Sequence, residues 1–196
     1  MYTWGYIKEN TLGKLNIGEE EANRLGFLSR FPYYANEAMT QICSAIKPDE
    51  KMFNVLVNKD NRGKEITFPD DFVAFSDDVA EIGEDIGFGD RIYREATDDD
   101  FTYRGYNKVI CYNKGDYLIP YKARWFFFTK ELTDDTIVEA PADICDALPS
   151  YIASQCFKID DEVKSATYRN EYEMFLARMD DTSYKAQRTF HIGGGW

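Results

Sequence analysis

Apolar residues recur at helical spacing from Pro141 to Asp180, and the rest of the chain is read around that block. Ile144, Leu148, Ile152 and Cys156 fall every four residues, which puts them on one helical face. Pro149 interrupts that face. Proline lacks an amide donor and crowds the preceding turn, so a kink is predicted there, or a restart with Pro149 in the first turn. A second helix is predicted to open at Asp160, a residue suited to the N-cap, with Asp161 and Glu162 beside the positive end of the helix dipole. Tyr168, Tyr172, Phe175 and Met179 then form an apolar stripe, while Arg169 and Glu173 are spaced to pair at i,i+4. The junction from Lys158 to Glu162 leaves room only for a tight turn, so the block predicts an αα-hairpin.

The N-terminal part, residues 1–48, is also helical by pattern. Trp4, Ile7, Leu12 and Leu15 mark a short first helix weakened by Gly5 and Gly13. Glu19 to Glu21 open a second, with Ala22, Leu25 and Leu28 behind them. Ser29 and Pro32 suggest a break before a longer helix, whose face is Ala35, Met39, Ile42 and Ile46 and which Lys47-Pro48 ends.

Between the two helical ends the period changes to two. Phe53, Val55 and Val57 alternate with Asn54, Leu56 and Asn58, and Glu65 to Phe68 resumes as a strand before a turn at Pro69-Asp70-Asp71. Val73 and Phe75 form a short strand, Asp77 to Gly89 an acidic, glycine-rich loop, and residues 91–95, 101–106 and 108–112 extended segments. Asn113 to Asp116 has the chemistry of a hairpin loop joining Tyr112 to Tyr117, and residues 119–128 alternate again. The expected class is therefore α+β. N- and C-terminal helices form a bundle around an inserted small β-sandwich or barrel, residues 50–130, within one domain, 1–182.

Residues 183–196 carry no trusted period and are expected to form an extended arm. Lys185, Arg188 and His191 make it basic, and it closes on Phe190, His191, Ile192, Gly193, Gly194, Gly195 and Trp196. Large apolar groups are unusual in a terminus with nothing to bury them. Either the arm folds back on its own domain, or it docks on another subunit.

Charge narrows the function. With 35 acidic and 23 basic residues, the formal net charge of −12 argues against a grip on nucleic acid, which needs clustered Lys and Arg. The aromatic share of 16% supplies material for broad packing surfaces, within a chain or between chains. No stretch approaches the roughly 20 apolar residues of a membrane span, and the first residues lack a signal peptide's apolar core, so folding in the cytosol is expected. Cys43, Cys111, Cys145 and Cys156 lie among apolar neighbours at no metal-like spacing and read as buried free thiols.

Catalytic patterns are not found. His191, the one histidine, sits beside three glycines, a poor place for the rigidly held imidazole of a nucleophile–base pair. Gly87-Phe88-Gly89-Asp90 lacks the later glycine and lysine of a phosphate-binding loop. Asp98-Asp99-Asp100 has Val109 where a calcium loop needs a bidentate glutamate, and reads as a solvated loop. No cofactor, metal or enzymatic activity is expected.

The hairpin, ALPSYIASQCFKIDDEVKSATYRNEYEMFLARMD, resembles that of tailed-bacteriophage head-to-tail adaptors, also called connector or neck proteins. Leu148, Pro149, Tyr151, Ala153, Asp160 and Asp161 match the family's first helix and turn, and Asn170, Tyr172 and Leu176 its second. Phe31 to Pro48, with Asn36-Glu37-Ala38 and Ile42, resembles the family's early helix, and Ile66 to Asp77 contains a similar Pro-Asp-Asp-Phe turn. These segments cover about half the chain; the β-rich insert matches nothing residue by residue.

The resemblance implies a structural virion protein, folded in the host cytoplasm. It would form a ring, typically a dodecamer, docked on the portal protein and presented to the next component, a stopper or tail terminator. DNA would pass through without specific binding. The arm, with Lys185, Arg188, Phe190, His191, Ile192, Gly193, Gly194, Gly195 and Trp196, would be its partner-binding segment. Exposed hairpin tyrosines and Trp125 to Phe128 are further candidate patches. Two other classes compete: a small soluble hydrolase with an acidic cleft, and a monomeric phage or host binding module.

Overall fold

The computed structural model describes the backbone of residues 1–87 and 90–189, and the side chains of residues 1–83 and 91–179. It divides into two compact units, Met1–Lys47 with Trp125–Trp196, and Pro48–Arg124. The fold is mixed α+β, and the β-rich insert corresponds to the second unit.

The helical unit contains α1 (Trp4–Leu15), α2 (Glu19–Arg24), α3 (Phe31–Ala45), α4 (Ala142–Phe157) and α5 (Glu162–Thr189). Thr3 caps α1, its hydroxyl accepting from the Tyr6 amide at 3.2 Å. Asn16, at φ 56°, ends the helix in the left-handed conformation that asparagine tolerates. Pro32 stands in the first turn of α3, where its missing N–H costs nothing.

Helix α4 contacts α1, α3 and α5. It runs through Pro149 without a break, so the restart considered from the sequence does not occur. An internal proline costs about 3 kcal/mol. Leu148, Tyr151 and Ile152 are buried beside it, each worth about 2 kcal/mol, and burial outweighs the lost bond. The N-cap of α5 is Asp161 rather than Asp160: its carboxylate accepts from the Lys164 amide at 3.0 Å. Arg169 and Glu173 pair at 2.6 Å, as their spacing predicts.

α5 has 28 residues against 16 in α4. At about 1.5 Å per residue it outruns its antiparallel neighbour by roughly 18 Å. The stretch 183–189 is thus helical where an extended arm was expected.

Residues 125–140 lace this unit together. The amides of Trp4 and Gly5 donate to the Thr136 and Asp134 carbonyls, each at 2.9 Å. A Cβ at Gly5 would lie 2.9 Å from Asp134, so the close approach requires glycine.

The second unit contains β1 (Asp49–Val57), β2 (Glu65–Thr67), β3 (Phe72–Phe75), β4 (Glu81–Gly87), β5 (Asp90–Glu95), β6 (Phe101–Arg104), β7 (Lys108–Cys111) and β8 (Gly115–Ala123). Five strands form one antiparallel sheet, ordered β1-β8-β4-β5 with β3 also paired to β8; β2-β7-β6 form another. Among the described residues the sheets do not close into a barrel. Phe68 lies near the middle of a core that both sheets line, its ring 4.7–5.6 Å from those of Phe53, Phe72, Phe75 and Tyr121.

Three sequence readings change here. The loop expected over Asp77 to Gly89 contains β4. Asn113 to Asp116 is no hairpin, because β7 and β8 belong to different sheets and the chain crosses between them. The last alternating segment leaves the sheet at Ala123, not Phe128.

Candidate functional site

The residues that carry the adaptor resemblance are mostly internal. Leu148, Pro149, Tyr151 and Ala153 are buried on α4, and Tyr172 faces them from α5 with its ring 4.9 Å from that of Tyr151. Gln41 donates to the Tyr151 hydroxyl at 2.9 Å. Burial, with a hydrogen bond to Glu37, pushes the Tyr151 phenol up to about 12. Arg169 lies over both rings, 5.3 and 5.2 Å from their centres. Of the hairpin tyrosines offered as an exposed patch, Tyr151 and Tyr172 are therefore core, and Tyr168 is half-buried with its hydroxyl donating to the Lys14 carbonyl at 2.6 Å.

The other matched segments are equally structural. Asn36 clamps Phe128 by two backbone bonds, donating to its carbonyl at 2.7 Å and accepting from its amide at 2.8 Å. In the Pro69–Phe72 turn, the Asp71 carboxylate accepts from Lys51 at 2.8 Å and Tyr121 at 3.0 Å. Of the run Trp125 to Phe128 only Phe127 is exposed, at 54%, because Trp125 donates to the Lys47 carbonyl and Phe128 packs on Trp4.

Lys185 and Arg188 lie on the last turns of α5. Phe190, His191, Ile192, Gly193, Gly194, Gly195 and Trp196 lie outside the described residues. The structure thus gives the arm a helical base and does not place its aromatic end.

Near that base a groove of about 220 Å³ is lined by Tyr6, Asn10, Lys14, Asp146, Pro149 and Phe175. Asp146 also accepts from the Tyr2 phenol, which this bond pushes up to about 12. Lys14 is committed to Glu171 at 2.7 Å. A second cleft, about 530 Å³ and open to solvent, has the ion pair Lys8–Asp134 in its wall.

Burial holds the thiols of Cys111, Cys145 and Cys156 near 12, so all three are protonated at neutral pH and are poor nucleophiles. No group of three His, Cys, Asp or Glu side chains is arranged for a metal among the described residues. Asp100, read as solvated, is 2% exposed instead: Arg94 grips it at 2.7 and 2.8 Å, and Thr97 and Asn113 complete its shell. These donors hold its carboxyl well below the usual range. Glu50 is the opposite case, raised by desolvation and a hydrogen bond to Asp78.

Sequence reasoning missed two surfaces in the β unit. β1 is an edge strand with Met52 and Leu56 exposed by 52% and 60%, and β5 is the opposite edge with every residue from Arg91 to Glu95 exposed. The alternation in β1 was a usable signal, but which strand lies at an edge depends on pairing.

No protein-family model matches the chain, and a search of curated proteins finds no match either.

Proposed function

We propose that this chain is a structural virion protein, a head-to-tail adaptor that forms a ring, probably twelve-fold, on the portal and connects the capsid to the tail. The observation that carries the reading is the α4–α5 hairpin. The residues that resemble the adaptor hairpin form its packed seam, and α5 then extends beyond α4 toward the basic, aromatic terminus. A projecting helix offers a partner a surface that need not be taken from the fold's own core.

The charge supports a channel role. A net charge of −12 per chain repels phosphates, so duplex DNA would slide past. The same charge makes chains repel one another, and a partner surface would offset that. On this reading the terminal arm, from Lys185 to Trp196, anchors the chain to the portal or to a neighbouring copy. Lys185 and Arg188 would suit an acidic groove, while Phe190, Ile192 and Trp196 would supply desolvated anchors.

Deleting residues 190–196 tests this. The truncated chain should keep its melting temperature within about 2 °C and lose attachment to the portal in a pull-down. Normal attachment by the truncated chain would sink the assignment of the arm. Unfolding would show that the terminus belongs to the chain's own core.

A further inference from the structure

The five-stranded sheet ends in two unlike edges. β1 has nine residues in unbroken register with β8, with no internal proline and no bulge. Long, flat edges with exposed apolar side chains are what soluble proteins ordinarily blunt, because their free N–H and C=O groups recruit another strand. At the other end β5 pairs only with β4 and is exposed on both faces over Arg91–Glu95. A two-stranded ribbon with neither face covered is marginal in water.

We propose that β1 of one copy accepts β5 of the next copy, so that the sheet continues from chain to chain. The choice of β5 over a second β1 rests on the ring reading, since a ring needs two different complementary surfaces on each chain.

Direction, face and charge all allow it. β1, β8, β4 and β5 are successively antiparallel, so a neighbour's β5 entering in the same sheet orientation runs antiparallel to β1. The pairings Leu56–Asp116, Asp116–Gly83 and Gly83–Tyr93 put Tyr93 on the face that carries Leu56, Met52 and Glu50. Tyr93 is 41% exposed and its ring lies over Gly83, where a Cβ would come within 2.8 Å. The ring is thus pre-positioned as an anchor. A register with Tyr93 opposite Glu50 sets Arg94 opposite Asp49 and Arg91 opposite Met52. The acidic start of β1 then meets the two arginines of β5.

The test is cross-linking of the full-length double variant Met52→Cys/Tyr93→Cys with a short bis-maleimide at high salt, where repulsion between the acidic chains is screened. All four native cysteines are buried and should stay silent. Within one chain, β1 and β5 are three strand spacings apart, about 14 Å, beyond the linker. A ladder of dimer, trimer and higher species from the double variant, absent from both single variants, is the expected result. Adding Glu50→Lys should lower its yield about tenfold, the equivalent of losing about 1.4 kcal/mol of pairing.

Dimers from Met52→Cys alone would mean β1 pairs with β1, and would overturn the proposal. So would silence at every salt concentration; the ring reading would then still stand or fall on portal attachment. Rings seen by native mass without any ladder would overturn the strand pairing and leave the ring intact.

Discussion

The two units solve the problem of buried polar groups differently. In the helical unit, neutral side chains reach across elements to backbone atoms: Tyr168 to Lys14, Asn36 to Phe128, Trp125 to Lys47, and Ser165 to Ser154 at 2.9 Å. In the β unit the same task falls to carboxylates, Asp71 between Lys51 and Tyr121, and Asp100 among Arg94, Thr97 and Asn113. Neutral clamps are indifferent to pH, whereas ionised ones fail when their charge is removed. Acid should therefore act first on the β unit.

The largest effects should come from the apolar centres, where the units ought to look alike. Phe68→Ala removes the ring that four neighbours surround, and Tyr172→Ala the one that meets Tyr151. Each should cost about 4 kcal/mol in urea unfolding. A cost below about 1 kcal/mol at one site alone would show that its unit is not held by the core described.

Asp100 is where the units should part. Asp100→Asn leaves the shape but removes the charge that Arg94 grips, at a cost of about 3 kcal/mol near neutral pH. The wild-type carboxyl is held below its unfolded value of about 4. Its contribution is thus complete above that value and fades as the pH falls toward the lowered folded one. The variant and wild type should converge in stability as pH drops from about 5. A gap that stays constant down to the acid transition would show that Asp100 acts through shape alone.

The same contrast explains what the sequence disclosed. A helix is written locally, so Ile144, Leu148 and Ile152 on α4, and the Arg169–Glu173 pair on α5, could be read from spacing. The proline in α4 could not, because its cost is offset by burial against other helices. Strands were mostly visible as strands, but β8 pairing with β1, β3 and β4 joins residues far apart, and no local pattern encodes that. Asn113 to Asp116 looked like a hairpin loop for this reason. The candidate surfaces followed suit: basic and aromatic residues marked the terminal arm, whereas the β1 and β5 edges emerged only once the strand order was known.

The smallest expected effect separates two roles of Arg169 in the helical unit. Its pair with Glu173 is the kind of half-exposed i,i+4 contact worth about 0.5 kcal/mol or less. Its guanidinium also lies over the rings of Tyr151 and Tyr172, and its stem covers apolar surface whatever Glu173 does. Glu173→Gln should therefore change stability by no more than about 0.5 kcal/mol, an effect that shrinks with added salt. Arg169→Ala should cost about 1–2 kcal/mol, with little dependence on salt. If the two substitutions cost the same and both effects vanish in high salt, the rings contribute nothing. The helical seam would then rely on charge, and its contrast with the β unit would fail at this point.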